Sequence, residues 1–278
     1  MGTVNLKPLT PDASPRAAFG AELRSMREGL GMTQDHLSQR TGYSPGHISS
    51  VETGRKSPTL PFAQKVDRAF GSGTKFANLF LDVRASALLQ GFGHYVAHEA
   101  KATELRLFEV GIIPGLLQTL EYAAVLATAS VNRGSITEAQ AAERLDVLAS
   151  RQALITRQPP AQLYAVLDES CIRRPIGGPE VMSAQLEWLV ELAGLPNMTL
   201  QIAPYAMGES RSLDLPVYLL GLPDRSTAAY SESAQQGLFE RDPEAVHRLL
   251  TAYHHLQVEA LPQAASVALI SKAREEIQ

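Results

Sequence analysis

MTQDHLSQRTGYSPGHISSVETGRKSP, residues 32–58, reads as two short helices with a tight turn between them. Thr33 stands where an N-cap hydroxyl satisfies the first orphan N–H groups, Leu37 points inward, and Gly42 ends the first helix. A second start follows at Ser44, with Pro45 at the first helical position, where its missing N–H costs nothing. Ile48 and Val51 form the buried stripe of this second helix, which runs up to Gly54. Leu37, Ile48 and Val51 then lock the two helices together, and Pro45, Gly46, Ser49, Ser50 and Thr53 are left on the opposite face.

Working outward, Phe19, Leu23, Met26, Arg27 and Leu30 follow helical spacing from Arg16, and Gly29 and Gly31 stop that helix. A fourth helix is expected over Pro61 to Phe70, carrying Phe62, Val66, Ala69 and Phe70. After Gly71-Ser72-Gly73, the residues Phe76, Leu79, Phe80, Val83 and Leu88 suggest a fifth. Residues 1–15, with three prolines among small polar residues, are expected to be a disordered arm. Beyond about residue 90 the pattern changes. Thr103 to Val110, Gln162 to Asp168, Thr199 to Ala203, Val217 to Leu222 and Thr227 to Ser233 read as short strands bounded by turn residues. Between and after them Leu116 to Ala129, Thr137 to Thr156, Pro179 to Ala193, Pro243 to Leu261 and Ser266 to Ile277 have helical spacing. The expected fold is mainly α: an N-terminal five-helix domain followed by a larger α+β domain. The expected divisions are an arm at 1–15, the small domain at 16–75, a connecting helix at 76–90 and the second domain at 91–278.

The bulk properties fit two globular units. A chain of 278 residues, 45% hydrophobic and 19% charged, has ample material for a core and is too apolar for wholesale disorder. It holds no apolar run near the roughly 20 residues that cross a bilayer, and its first residues lack the apolar stretch of a secretory signal. A cytoplasmic location with no membrane partner is therefore expected. The single cysteine, Cys171, excludes an internal disulfide framework. The net charge of -4 hides a split: residues 16–75 carry nine Lys/Arg against five Asp/Glu, and residues 76–278 carry fifteen against twenty-three. A basic head and an acidic body suit different partners.

A unit of two short helices and a tight turn places its second helix in the DNA major groove, which is just wide enough for it. On that geometry Ser44, Pro45, Gly46, His47, Ser49, Ser50 and Thr53 meet the duplex, base edges first at the N-terminal end. His47 either touches DNA or is a packed, partly buried ring. Arg55 and Lys56, just past Gly54, either meet phosphate oxygens or form a solvated pair.

Over residues 16–75 this set resembles the Xre/Cro-type helix-turn-helix family. The resemblance implies double-stranded DNA as partner, with Thr33 and Gln34 at the start of the bracing helix and Gln34 on phosphate or base. It also implies that Arg27 and Glu52 form an ion pair tying the first helix to the recognition helix. The chain departs from the family in the short side chains at Pro45, Gly46, Ser49 and Ser50, which make bidentate base readout thin and shift weight to DNA shape, water or dimer spacing. One such helix reads only a few base pairs, so a homodimer on two half-sites is expected.

The phrases YVAHEAKATELRLFEVGIIPGLLQTLEYA at 95–123, LDESCIRRPIGG at 167–178, VMSAQLEWLVELA at 181–193 and the AYSES run at 229–233 resemble the large C-terminal domain of actinobacterial WhiJ-like regulators. That resemblance implies an antitoxin-like protein with a small partner encoded by a neighbouring gene. In PGLLQT, Pro114 and Gly115 mark an abrupt strand-to-helix turn.

The remaining constellations are weaker. Cys171 lacks the surroundings of a hydrolase nucleophile, and His247, His254 and His255 lack the spacing and extra ligand of a metal site. Gly71-Ser72-Gly73 is not followed by the residues of a phosphate cradle. Glu169, Arg173, Arg174 and Glu232, at strand ends, are either a polar brace or part of a partner or ligand site. No catalytic set, metal or cofactor is expected. The expected function is transcriptional regulation through sequence-specific DNA binding, with a second domain receiving a protein or ligand signal. The alternative is an antitoxin-like protein that sequesters its small partner and controls its own promoter.

Overall fold

The computed structural model describes residues 15–89, 91–233 and 236–277, so the expected arm lies outside the described residues except for Pro15, which opens the first helix. The chain divides into two compact units, one running up to Leu88 and including Ile136–Glu143, the other holding Leu89–Ser135 and Arg144 onward. None of the helices in the described residues is long and apolar enough to cross a membrane.

The first unit contains α1 (Pro15–Gly29), α2 (Gln34–Thr41), α3 (Pro45–Glu52), α4 (Leu60–Phe70) and α5 (Lys75–Ala87). Its core is Phe19 and Leu23 of α1, Leu37 of α2, Ile48 and Val51 of α3, Phe62, Ala63 and Val66 of α4, and Phe76, Phe80 and Val83 of α5. The helix expected to connect two domains is thus part of this core. Phe76 makes an edge-on contact with Phe19, ring centroids 5.4 Å apart, and Asp67 accepts hydrogen bonds from the Phe76 and Ala77 N–H groups at 2.9 and 3.0 Å. Burying a phenylalanine of this kind contributes about 1.5–3 kcal/mol. Leu30, which keeps the helical spacing of α1, is 51% exposed because the helix stops at Gly29 before another turn can carry it inward. Ile136–Glu143 joins this unit through a hydrogen bond from the buried Ser57 hydroxyl to the Glu143 carboxylate.

The second unit is built on a six-stranded sheet. Its elements are α6 (Phe92–Glu99), β1 (Glu104–Glu109), α7 (Leu120–Asn132), α8 (Glu138–Thr156, from Arg144), β2 (Gln162–Asp168), α9 (Ser170–Arg173) and α10 (Gly178–Ala193). Then come β3 (Met198–Ala203), β4 (Val217–Gly221), β5 (Thr227–Glu232), β6 (Gly237–Glu240), α11 (Pro243–Glu259) and α12 (Gln263–Glu275). The strand order is β3-β2-β1-β4-β5-β6. The first three strands pair in parallel and the others antiparallel. Side chains alternate between the faces of a sheet. Leu105, Leu107, Leu163, Ala165, Leu200 and Tyr230 therefore face one core with Met182, Leu186 and Leu189 of α10 and Ile270 of α12. Phe108, Val166, Leu219 and Ala229 face a second core with Val246, Tyr253 and Leu256 of α11. The protein is mostly helical, with a five-helix N-terminal unit and a mixed helix-and-sheet second unit.

The helix expected from Leu116 is interrupted. Gly115–Leu117 is a single 3-10 turn, and α7 starts only after Thr119, whose hydroxyl accepts from the Tyr122 N–H at 3.2 Å. The fully buried Gln185 amide accounts for the break: it accepts from the Thr119 N–H at 2.7 Å and donates to the Leu117 carbonyl at 2.8 Å. It thus takes the place of intrahelical partners.

Candidate nucleic-acid interface

Local chemistry sets the two central helices. The Thr33 hydroxyl accepts from the His36 N–H at 3.1 Å while the His36 ring accepts from the Thr33 N–H, so both ends of the cap are satisfied. Gly42 closes α2 at a φ of +73°, a left-handed conformation that costs a β-carbon-bearing residue more. Ser44 then caps α3 by accepting from the His47 N–H at 3.2 Å, and Pro45 occupies the first turn. Ile48, Val51 and Glu52 turn inward.

Glu52 is the hub behind this arrangement. Its fully buried carboxylate receives Arg27 Nε at 2.5 Å on one oxygen and Arg27 Nη2 at 3.1 Å on the other. Gln34 donates to it at 2.8 Å, and Arg24 Nε lies 3.6 Å away. Arg27 also donates to the Met32 carbonyl at 2.9 Å, so α1, the loop before α2, α2 and α3 meet on one carboxylate. The hydrogen bond that Arg27 donates to Glu52 raises the Arg27 pKa, with burial opposing it. Gln34, expected on phosphate or base, spends its side-chain amide on this hub.

Two bracing residues were not singled out from sequence. Arg24 is one. Gly20 is the other: a β-carbon there would lie 2.6 Å from the backbone oxygens of both Val51 and Glu52, so α1 and α3 touch at a point only glycine allows. An isolated glycine inside a helical pattern is the signal that could have found it.

On the outward side, Gly46 is exposed and Pro45, Ser49 and Ser50 are half-buried. Ser50 donates its hydroxyl to the Gly46 carbonyl at 2.8 Å and Thr53 donates to the Ser49 carbonyl at 2.7 Å. Both remain able to accept, so the face offers small acceptors and no long donor. Of the two readings of His47, the structure has the packed, partly buried ring. That ring packs 4.7 Å from Tyr43 and 5.2 Å from Phe62, and Nε2 is sealed from solvent without a hydrogen-bond partner. Burial, aided by nearby Lys56, lowers its pKa and favours the neutral ring. Arg55 and Lys56 are exposed beyond Gly54, with Arg55 Nε 3.0 Å from the Thr53 hydroxyl.

In the second unit the expected four-residue cluster separates. Glu169 accepts from Arg173 Nε at 3.0 Å and from the Tyr205 N–H at 2.9 Å, and Arg173 also reaches Glu276, so this pair braces the strand ends against α12. Glu232 lies at the end of β5, with β1 and β4 between it and β2, about 14 Å across at ordinary strand spacing. It accepts from the Tyr230 hydroxyl at 2.9 Å. Arg174 instead approaches Gly111. A cluster not anticipated from sequence lies deeper. Glu99 receives Arg151 at 2.6 and 2.8 Å and the Tyr95 hydroxyl at 2.5 Å, while the Tyr95 and Tyr230 rings stack with centroids 4.3 Å apart. Tyr218 donates to Glu109, whose burial pushes its carboxyl pKa up to about 7. Cys171 is fully buried and burial drives its thiol pKa well up, which leaves it without nucleophilic character. His247, His254 and His255 are exposed on α11.

Two short helices locked through Leu37, Ile48 and Val51, with a capped second helix presenting a polar face, define a helix-turn-helix protein. Residues 18–74 match a family model described as a helix-turn-helix domain. Residues 92–272 match one described as a domain of unknown function, DUF5753, and the chain belongs to that family. Over 49 residues it is 41% identical to an "Uncharacterized HTH-type transcriptional regulator" of Methanothermobacter thermautotrophicus, covering 18% of this chain and 71% of that one. Over 56 residues it is 32% identical to the "Uncharacterized HTH-type transcriptional regulator y4dJ" of Sinorhizobium fredii, covering 20% and 73%. No solved structure matches. The protein is a DNA-binding transcriptional regulator.

Proposed function

We infer that the protein recognises particular DNA sequences through the outward face of α3, as a homodimer on a two-fold related operator, and that its second unit receives a protein signal. The observation that carries the DNA reading is the Glu52 hub, which fixes α3 from behind while Pro45, Gly46, Ser49 and Ser50 face outward. Thr33, Ser44 and Thr53 set the helix ends, and Arg55 and Lys56 supply phosphate contacts. Thin direct readout leaves specificity to DNA shape and half-site spacing as well as to the Ser49 and Ser50 hydroxyls. The acidic excess of residues 76–278 disfavours DNA and suits a protein partner. The resemblance to WhiJ-like regulators makes that partner a small, separately encoded protein.

Binding to duplex DNA at several salt concentrations tests the reading. Affinity should fall steeply as salt rises, Arg55→Ala with Lys56→Ala should weaken all sequences about equally, and Ser50→Ala should change the ranking of sequences. A flat salt dependence of the wild type would overturn it.

A further inference from the structure

Arg40, Lys65 and Arg68 line one open cleft of about 310 Å³, floored by Thr41 and Gly42. All three side chains are exposed, and among the described residues none is paired with a carboxylate. Arg40 Nη1 donates to the Ala69 carbonyl at 3.1 Å and Arg68 Nε to the Gln64 carbonyl at 3.3 Å, which uses one donor of each guanidinium and leaves the others to point outward. Lys65 Nζ lies 5.0 Å over the Tyr43 ring. Helix-end electrostatics explain part of this gathering, since Arg40 and Arg68 sit in the last turns of α2 and α4, where cations complement free carbonyls. They do not explain Lys65, in the middle of α4, or three like charges around one concavity.

The geometry points to this cleft as a seat for a phosphate of the DNA backbone, a second arm of the DNA interface that rests on the α3 reading given above. Gly42 is two residues ahead of Ser44, so the floor of the cleft lies within about 7 Å along the chain from the end of α3 that meets the groove. Arg55 and Lys56 follow the other end of the same eight-residue helix, which is about 12 Å long. The major groove is about 12 Å wide. Cationic groups thus flank α3 at both ends, where the phosphates bordering the groove run past it. Guanidinium forks grip phosphate through two parallel donors, and a lysine adds a point charge.

The test replaces all three residues in the full chain, Arg40→Gln, Lys65→Gln and Arg68→Gln, with folding checked by circular dichroism. Lys65→Gln alone, which breaks no hydrogen bond, is the companion variant. Binding to a duplex chosen for wild-type affinity is titrated against salt, and inorganic phosphate and polyglutamate are titrated separately. The slope of log affinity on log salt should become shallower by about 0.9 in the triple variant, which loses one phosphate, and by a part of that in the single one, with all DNA sequences weakened alike. Unchanged slopes in folded variants overturn the cleft while the steep wild-type slope keeps the α3 reading intact, and a flat wild-type slope overturns both. Saturable capture of phosphate or polyglutamate by the wild type, lost in variants that bind DNA normally, also overturns it by showing a small-anion or acidic-protein site.

Discussion

Gly20 of α1 lies so close to Glu52 of α3 that a β-carbon on Gly20 would stand 2.6 Å from the Glu52 carbonyl oxygen. Two helices cross backbone to backbone there, and no flexible side chain is available to yield. Gly20→Ala should therefore destabilise the first unit by about 1–3 kcal/mol despite the higher helix propensity of alanine, because overpacking outweighs propensity. Thermal or denaturant unfolding checks this, and a stabilised variant would mean that α1 and α3 do not meet at that distance.

The same carboxylate supports a second expectation. Removing either partner of the buried Arg27–Glu52 pair leaves the other charge uncompensated, so Arg27→Met or Glu52→Met alone should cost about 3 kcal/mol. The double replacement should cost less than the two single ones summed, since no unpaired charge remains except Arg24 near the site. Strict additivity in the mutant cycle would show that the pair is not coupled.

His47 should titrate below its reference value of 6.5, as burial against Tyr43 and Phe62 favours the neutral ring. The unfolded chain then binds the proton more readily, so His47 lowers stability as the pH falls through the unfolded value and has no effect above it. An NMR titration reads the ring directly, and a value at or above 6.5 would mean that it faces water and is free to meet DNA.

Glu109 acts in the opposite direction. Its folded pKa of about 7 against an ordinary 4.5 means that the folded state holds the proton more tightly, so stability is lost as the pH rises from about 4.5 to 7. The span corresponds to about 3 kcal/mol. Glu109→Gln should remove that loss, gaining on the wild type by about this amount between mildly acid and mildly alkaline solution. Parallel unfolding curves at both pH values would contradict the buried, protonated carboxyl.

The helix boundaries of the first unit were legible because each carries its own chemistry: a hydroxyl at Thr33 and Ser44, a left-handed glycine at Gly42. Periodicity misled at Leu30, which keeps the spacing of α1 but follows its last helical residue. It also ran α7 back through Leu116, because the interruption depends on Gln185, 66 residues from Thr119. Helix α6 and strand β6 went unread because eight and four residues are too few to show a period. The partners of the candidate residues were least legible. Nothing local in the chain joins Glu99 to Arg151, 52 residues away, or separates Glu232 from Glu169 by two strands.

Selection of binding sites from a random duplex library, for the wild type and for Ser50→Arg, tests the claim that α3 reads DNA more directly than any other measurement. Ser50 sits on the outward face with its hydroxyl folded back on Gly46, and an arginine there supplies the long bidentate donor the helix lacks. The variant should enrich guanine at one position of each half-site, through O6 and N7, and leave the remaining positions and the half-site spacing as in the wild type. The same preferred sequence for both proteins, with the variant folded and its affinity unchanged, would show that α3 does not enter the groove.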